Sequence, residues 1–224
     1  MNLYIKSTFF VCAMSISLSA ELYITYFDHG EIKAKTHYID GTNTDSLEGT
    51  KHGLQTVYYE MGRIAYSVNY INDKRDGKLT WHDKKGHKLS DVFYKNGKLE
   101  GMESSYFIDG SLKHSVNYVN DKKEGAQKEY FNNGIVALVV TYKNNKKEGF
   151  QKEYNEDGTL FSSVNYKNNY KEGEQKWFSK DGKVIKTLLY KNDRPINVMK
   201  QVQVKQKEYN IYVDSIDFSP QNVE

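Results

Sequence analysis

The sequence predicts an all-β protein: an elongated, twisted antiparallel meander of stacked β-hairpins, each hairpin one copy of a 24-residue repeat. Three observations predict it. Gly53, Gly77, Gly101, Gly125, Gly149 and Gly173 stand 24 residues apart. A second series, Gly62, Gly86, Gly110, Gly134, Gly158 and Gly182, runs nine residues behind with the same period. A tyrosine ladder, Tyr70, Tyr94, Tyr118, Tyr142, Tyr166 and Tyr190, completes the unit. A fixed period in this range marks an architecture in which one small supersecondary unit is stacked many times.

Each element follows from the residues within one unit, numbered from its first glycine as position 0. The polar stretch after that glycine is β-tolerant, and its fifth position is Tyr58, His82, Tyr106, Tyr130, Tyr154 or Phe178. A turn signal follows, as in Asp109-Gly110, Asn133-Gly134, Asp157-Gly158 and Asp181-Gly182. Such pairs between patterned runs are a strong hairpin signal, because both residues tolerate positive φ. The next stretch alternates. Its fifteenth position is Val68, Val92, Val116, Val140, Val164 and Leu188, and the seventeenth is the tyrosine ladder. A period of two places these residues on one strand face. The nineteenth position is Asn in every copy, from Asn72 to Asn192, and opens a polar turn. Each unit therefore reads strand, tight turn, strand, polar turn.

Four segments emerge. Residues 1–20 have the layout of a secretory signal peptide: Lys6, then the mostly apolar run Ser7–Leu18, then small residues, with cleavage expected at Ser19 or Ala20. Twelve apolar-run residues are too few for the roughly 20 that cross a bilayer as a helix. Residues 21–52 read as a degenerate first repeat, with Phe27-Asp28-His29-Gly30 at the turn and Tyr38 eight residues beyond Gly30. From Tyr38 to Gly53 is 15 residues where other copies have 7, which puts an insertion in Ile39–His52. Residues 53–196 hold six regular units, and 197–224 read as a C-terminal cap or tail.

Composition excludes several classes. The lone Cys12 lies in the apolar run, so the mature chain has neither disulfide nor cysteine metal ligand. Without Lys6 the balance is 31 basic against 29 acidic residues, a net of +2, which does not describe a nucleic-acid binder. An aromatic share of 14% argues for a folded chain, since disordered ones are poor in aromatics. The histidines, His29, His37, His52, His82, His87 and His114, form no two-His helical pair with an acidic partner. No nucleophile elbow or phosphate loop appears. Asp76, Glu100, Glu124, Glu148 and Glu172 recur with the repeat and read as turn residues. Lys122-Lys123, Lys146-Lys147 and Lys171 read as a solvated rim, each followed by Glu. No catalysis, metal or cofactor is expected.

The run from Tyr142 to Gly149, with Gln151-Lys-Glu-Tyr154 and Asp157-Gly158, resembles the MORN repeat in its bacterial variant form. Comparable runs cover residues 53–196 and, more loosely, 22–52. The family pattern often has Gly where this chain has Asp73, Asp121, Asn145, Asn169 and Asp193; Gly97 alone conforms. The resemblance implies an elongated, twisted sheet of hairpins, and many bacterial proteins of this variant carry the label of YwqK-type antitoxin. The expected function is an exported, non-enzymatic scaffold that presents an extended β-surface to another protein. An antitoxin-like or immunity role is one alternative, and a module binding glycan or lipid at a membrane or cell-wall surface is the other. Because the glycines and tyrosines serve the scaffold, residues that break the pattern are the candidates for partner binding: Trp81 and Trp177 at position 4, and Phe93 on the second face.

An isolated unit should be unfolded, because ordering 24 residues costs on the order of 36 kcal/mol and about four buried apolar side chains each return roughly 1.5–3 kcal/mol. Deleting one whole unit, Gly101–Glu124, should leave a shorter folded protein, whereas deleting Gly101–Leu112 alone should be far worse. Thermal melts of the two deletants decide it, and equal stability contradicts the repeat.

Overall fold

The structure, a computed structural model, describes residues 20–39 and 49–196. The leader with Ser19 and Cys12, most of the Ile39–His52 insertion and the C-terminal segment 197–224 lie outside the described residues. Eighteen strands make up the described chain, with no helix. They pair antiparallel and in sequence order, from Glu21–Tyr26 against Ile32–Ile39 to Val184–Lys191 against Arg194–Ile196. Contacts run between sheet neighbours, so the described residues form one open layer. The first hairpin has the same turn bonds as the rest: Gly30 N–H donates to the Phe27 carbonyl and Phe27 N–H to the Glu31 carbonyl.

The two kinds of turn are built differently from the expectation. At Phe107–Ser111 the Gly110 N–H donates to the Phe107 carbonyl at 3.0 Å, and the Phe107 N–H donates to the Ser111 carbonyl at 2.8 Å. Gly110 lies at φ +86, but Asp109 is not among the residues at positive φ. This is a three-residue loop, a type I turn closed by a left-handed glycine. Asp109 favours it because its carboxylate accepts the Ser111 N–H at 2.9 Å. Met61 and Gly62, at φ 85 and 74, are the exception among these tight turns; from Asn72 onward the polar turns at the opposite end of the hairpins have two left-handed residues. There Asn120 and Asp121 lie at φ 48 and 65, and Asn144 and Asn145 at 50 and 67. Asn and Asp tolerate this region better than other side-chain-bearing residues.

The polar turn also fastens each hairpin to the one before it. Asn145 N–H donates to the Lys123 carbonyl at 3.1 Å, and its Oδ1 accepts the Lys123 N–H at 2.6 Å. The same two-way clasp joins Asp73 to Lys51, Asp121 to Leu99, Asn169 to Lys147 and Asp193 to Lys171. Gly97, which conforms to the family pattern, keeps the backbone half alone, to Arg75. The recurring acidic residue, the last of the preceding unit, also closes the turn: Glu100, Glu124, Glu148 and Glu172 accept the N–H of Asn120, Asn144, Asn168 and Asn192 at 2.8–3.1 Å. The side chain at position 20 thus adds a bond that glycine cannot make.

The alternation gives two unlike faces. On the first, the valines pair across strands with position 2, as in Gln127 with Val140, and the tyrosines pair with the position-0 glycines, as in Gly149 with Tyr166. Val68 and Val116 are fully buried, and Val140 and Val164 nearly so. Around Val68 and Leu79 pack Tyr66, Tyr70, Val92 and Tyr94, so large rings rather than a second layer keep the valines dry. The facing glycines all lie at positive φ, a backbone that glycine adopts without strain. Gly53 lies at φ +102, and a Cβ there would meet the His37 Cβ at 3.3 Å.

Asn145→Ala should cost about 2 kcal/mol, from left-handed strain of roughly 1–2 kcal/mol and a lost hydrogen bond worth about 1 kcal/mol. Asn145→Gly should cost only the hydrogen bond. Urea unfolding of the full chain checks the order, and alanine proving no worse than glycine would remove the clasp from the account.

Candidate functional site

The first face carries an alternating ladder of cations and tyrosines. Residues two before each position-0 glycine lie over the rings at position 17: Lys51 over Tyr70 at 5.2 Å, Arg75 over Tyr94 at 5.3 Å, Lys123 over Tyr142 at 5.1 Å, Lys147 over Tyr166 at 4.7 Å and Lys171 over Tyr190 at 4.9 Å. These are cation–π contacts. Three of the lysines also donate to a glutamine on the same face: Lys123 to Gln127, Lys147 to Gln151 and Lys171 to Gln175. Leu99 breaks the ladder. Its tyrosine, Tyr118, has no cation above it, and burial followed by the Glu103 carboxylate pushes its phenol up to about 12. The turn lysines are therefore not one solvated rim: Lys123, Lys147 and Lys171 fold onto this face.

Trp81 and Trp177 belong to this same face, since Trp81 pairs with Tyr66 and Ser90, and Trp177 with Ser162 and Lys186. Position 4 is thus not part of a separate polar face. The Trp81 ring leans on Tyr66 with centroids 4.6 Å apart and remains 37% exposed. Lys186 lies 5.0 Å over Trp177. Eight strand spacings separate the two tryptophans, about 38 Å at the usual interstrand distance, so they cannot share one contact patch. Phe93 pairs with Lys78 on the opposite face and is 39% exposed. The three candidate anchors are not brought together. Ala20 precedes the first strand.

A cluster that the sequence reading did not single out lies on the second face, in the unit that begins at Gly77. Asp91 is 5% exposed and accepts four donors: Thr80 Oγ1 at 2.8 Å, Lys78 Nζ at 3.0 Å, Lys88 Nζ at 3.1 Å and the Tyr106 hydroxyl at 3.0 Å. The Lys88 ammonium stands 3.8 Å from the Tyr106 ring centroid. Nearby, the Tyr59 hydroxyl donates to the His82 carbonyl, while His82 Nδ1 is buried with no partner among the described residues. Burial opposes ionisation of Asp91, but the donors from Lys78, Thr80, Lys88 and Tyr106 outweigh it and hold its carboxyl below the ordinary 3.8. Three of the donors, Lys78, Lys88 and Tyr106, converge on Oδ2, and Thr80 takes Oδ1. Asp91, buried and tied to donors from four side chains, is a structural anchor. The signal in the sequence was coincidence: His82, Lys88 and Asp91 replace an aromatic, an apolar and mostly small residues at positions 5, 11 and 14 of one unit.

Elsewhere the titratable groups serve turns. Asp83 accepts His87 Nδ1 at 2.8 Å, and that bond, with backbone N–H donors from His87 and Lys85, lowers its carboxyl to about 2. Among the described residues no group of three or more His, Cys, Asp or Glu is placed to hold a metal ion, and no helix is long and apolar enough to cross a membrane.

Four segments, residues 51–72, 123–144, 147–168 and 171–192, match the family model described as the MORN repeat variant. Each runs from the ladder residue before the glycine to the turn asparagine. These four segments are similar to MORN-variant repeats, modules that are often protein-binding or scaffold-like and in general non-enzymatic. The intervening residues 73–122, which hold the Asp91 cluster and Leu99, lie outside the matched segments yet keep the hairpin register. No curated protein matches the chain.

Asp91→Asn should lower stability by about 1–3 kcal/mol at neutral pH, toward the low end because the Lys78 and Lys88 side chains are 46% and 38% exposed. A carboxyl held below 3.8 contributes stability above that pH and loses it as pH falls through the folded value. The gap between wild type and variant should therefore close below pH 3.8; a gap that stays constant into acid would contradict the assignment.

Proposed function

We propose that this protein is an exported, non-enzymatic repeat scaffold whose valine–tyrosine face binds an elongated protein partner. The observation that carries the reading is Trp81, a large ring left 37% exposed on an otherwise well-packed aromatic ladder. Exposed Trp and Tyr anchors dominate the energetics of protein interfaces. Open repeat arrays present extended surfaces of this kind, and the MORN-variant match supports a binding role. Export rests on the apolar run Ser7–Leu18 and the small residues Ser19 and Ala20 that follow it. A toxin is one such partner, and the likeness to YwqK-type antitoxins names it as the narrower form of this reading.

Trp81→Ser and Trp177→Ser should each leave the melting temperature within a few degrees and weaken capture of the cross-linked partner. Anchors so far apart should act independently, with free-energy effects that add to within about 0.5 kcal/mol in the double variant. Collapse of the fold in either variant would assign that tryptophan to the core instead.

A further inference from the structure

The second face of the sheet carries a different surface in its C-terminal half. Where the polar turns begin and end, Lys143 pairs across strands with Lys146, and Lys191 with Arg194, while Lys167 pairs with Tyr170. Like charges placed directly opposite one another are unfavourable in a sheet, and these cations are exposed with no ion pair among the described residues. A second row, Lys128, Lys152 and Lys176, projects from position 3 of the same units, opposite Val139, Ser163 and Thr187. Lys176 holds Glu174 at 2.7 Å, and Lys152 lies 6.0 Å from the Phe150 ring. The acidic residues of that edge, Glu124, Glu148 and Glu172, each give one carboxylate oxygen to a turn N–H group.

Between the two rows runs a mixed track, Ala126 opposite Thr141, Phe150 opposite Asn165 and Glu174 opposite Leu189, in which the one carboxylate is held by Lys176. The tetrad Ser-Val-Asn-Tyr recurs at 67–70, 115–118 and 163–166, in every second unit. It sets Asn69, Asn117 and Asn165 directly across from Leu54, Met102 and Phe150, which are 50%, 45% and 56% exposed. An amide beside an exposed apolar side chain thus returns every fourth strand, about 19 Å apart at the usual interstrand spacing. In the half where the lysine rows flank it, the pair is Phe150 with Asn165.

We propose that this face binds a linear acidic polysaccharide laid across the strands, between the two rows of lysine. The lysines repeat once per hairpin, about 10 Å, and complement a polymer carrying one acidic sugar per disaccharide. Asn165 hydrogen-bonds ring hydroxyls, and Phe150 packs on the apolar face of a sugar ring. Single-stranded nucleic acid fits less well, because its bases take a succession of aromatic platforms and Phe150 is the one aromatic in the track between Ala126 and Leu189. A bilayer fits less well too: a sheet turning by about 20–25° per strand meets a plane over only a few strands, whereas a flexible chain follows the twist. The surface is the reverse of the one assigned to the protein partner, so either assignment can fail alone.

The test is calorimetric titration of the full-length protein with hyaluronan, an alternating uronic-acid polymer, at low salt. Wild type should bind. Phe150→Ser with Asn165→Ala, which leaves the charge unchanged, should weaken binding at least about tenfold, the loss of one hydrogen bond and one apolar contact. Lys143→Gln with Lys146→Gln and Lys167→Gln, all exposed, should weaken it independently and flatten its salt dependence. Failure of wild type to bind overturns the proposal. So does unchanged affinity in the Phe150/Asn165 variant, which would reduce the effect to charge alone. Tighter binding of oligo-deoxythymidine or phosphatidylglycerol vesicles than of hyaluronan also overturns it.

Discussion

The hydrogen bonds that join one hairpin's polar turn to the previous hairpin are the interaction on which the rest depends. A sheet of one layer has no opposing layer to hold its strands in register. The lateral clasp supplies part of that hold at the chain's own period: a backbone bond from position 20 to the residue 22 earlier, and a side-chain bond in return. It requires two consecutive left-handed residues, of which the second must carry an acceptor. Asn and Asp satisfy both demands, which accounts for Asp73, Asp121, Asn145, Asn169 and Asp193 where the family pattern often has glycine.

With register set, the two faces acquire separate tasks. The valines are buried beneath the aromatic–cation ladder of their own face. Each ladder lysine fills space over a ring with its methylene stem while its ammonium stays near water, so charge and burial coexist in one side chain. On the other face nothing comparable among the described residues covers Leu54, Met102 or Phe150. The asymmetry lets one surface be a scaffold with sparse anchors and the other a charged track.

The Asp91 cluster shows how an array accommodates an exception. Three polar replacements in one unit would each be costly alone, since a buried carboxylate without partners is strongly disfavoured. Asp91 and Lys88 are satisfied together with Lys78, Thr80 and Tyr106, and the backbone register of residues 77–106 stays that of the other units. Local chemistry has been exchanged while the hairpin geometry is kept. The same stretch lies outside the segments matched to the MORN-variant model.

Period, strand alternation and turn positions were legible in the sequence alone, because glycine spacing and a two-residue repeat of Val and Tyr are properties of adjacent residues. The roles of the two turns were not. Asp109-Gly110 looked like the turn with two left-handed residues, but side-chain bonding to Ser111 favours a type I turn closed by the glycine, and the asparagine turns took the primed form. Nor did spacing place Trp81 on the valine–tyrosine face, opposite to that of Phe93, or show that Lys78, Lys88 and Tyr106 converge on Asp91. Those facts depend on which residues stand opposite across strands, and two irregularities per hairpin shift that register in ways a linear pattern does not encode.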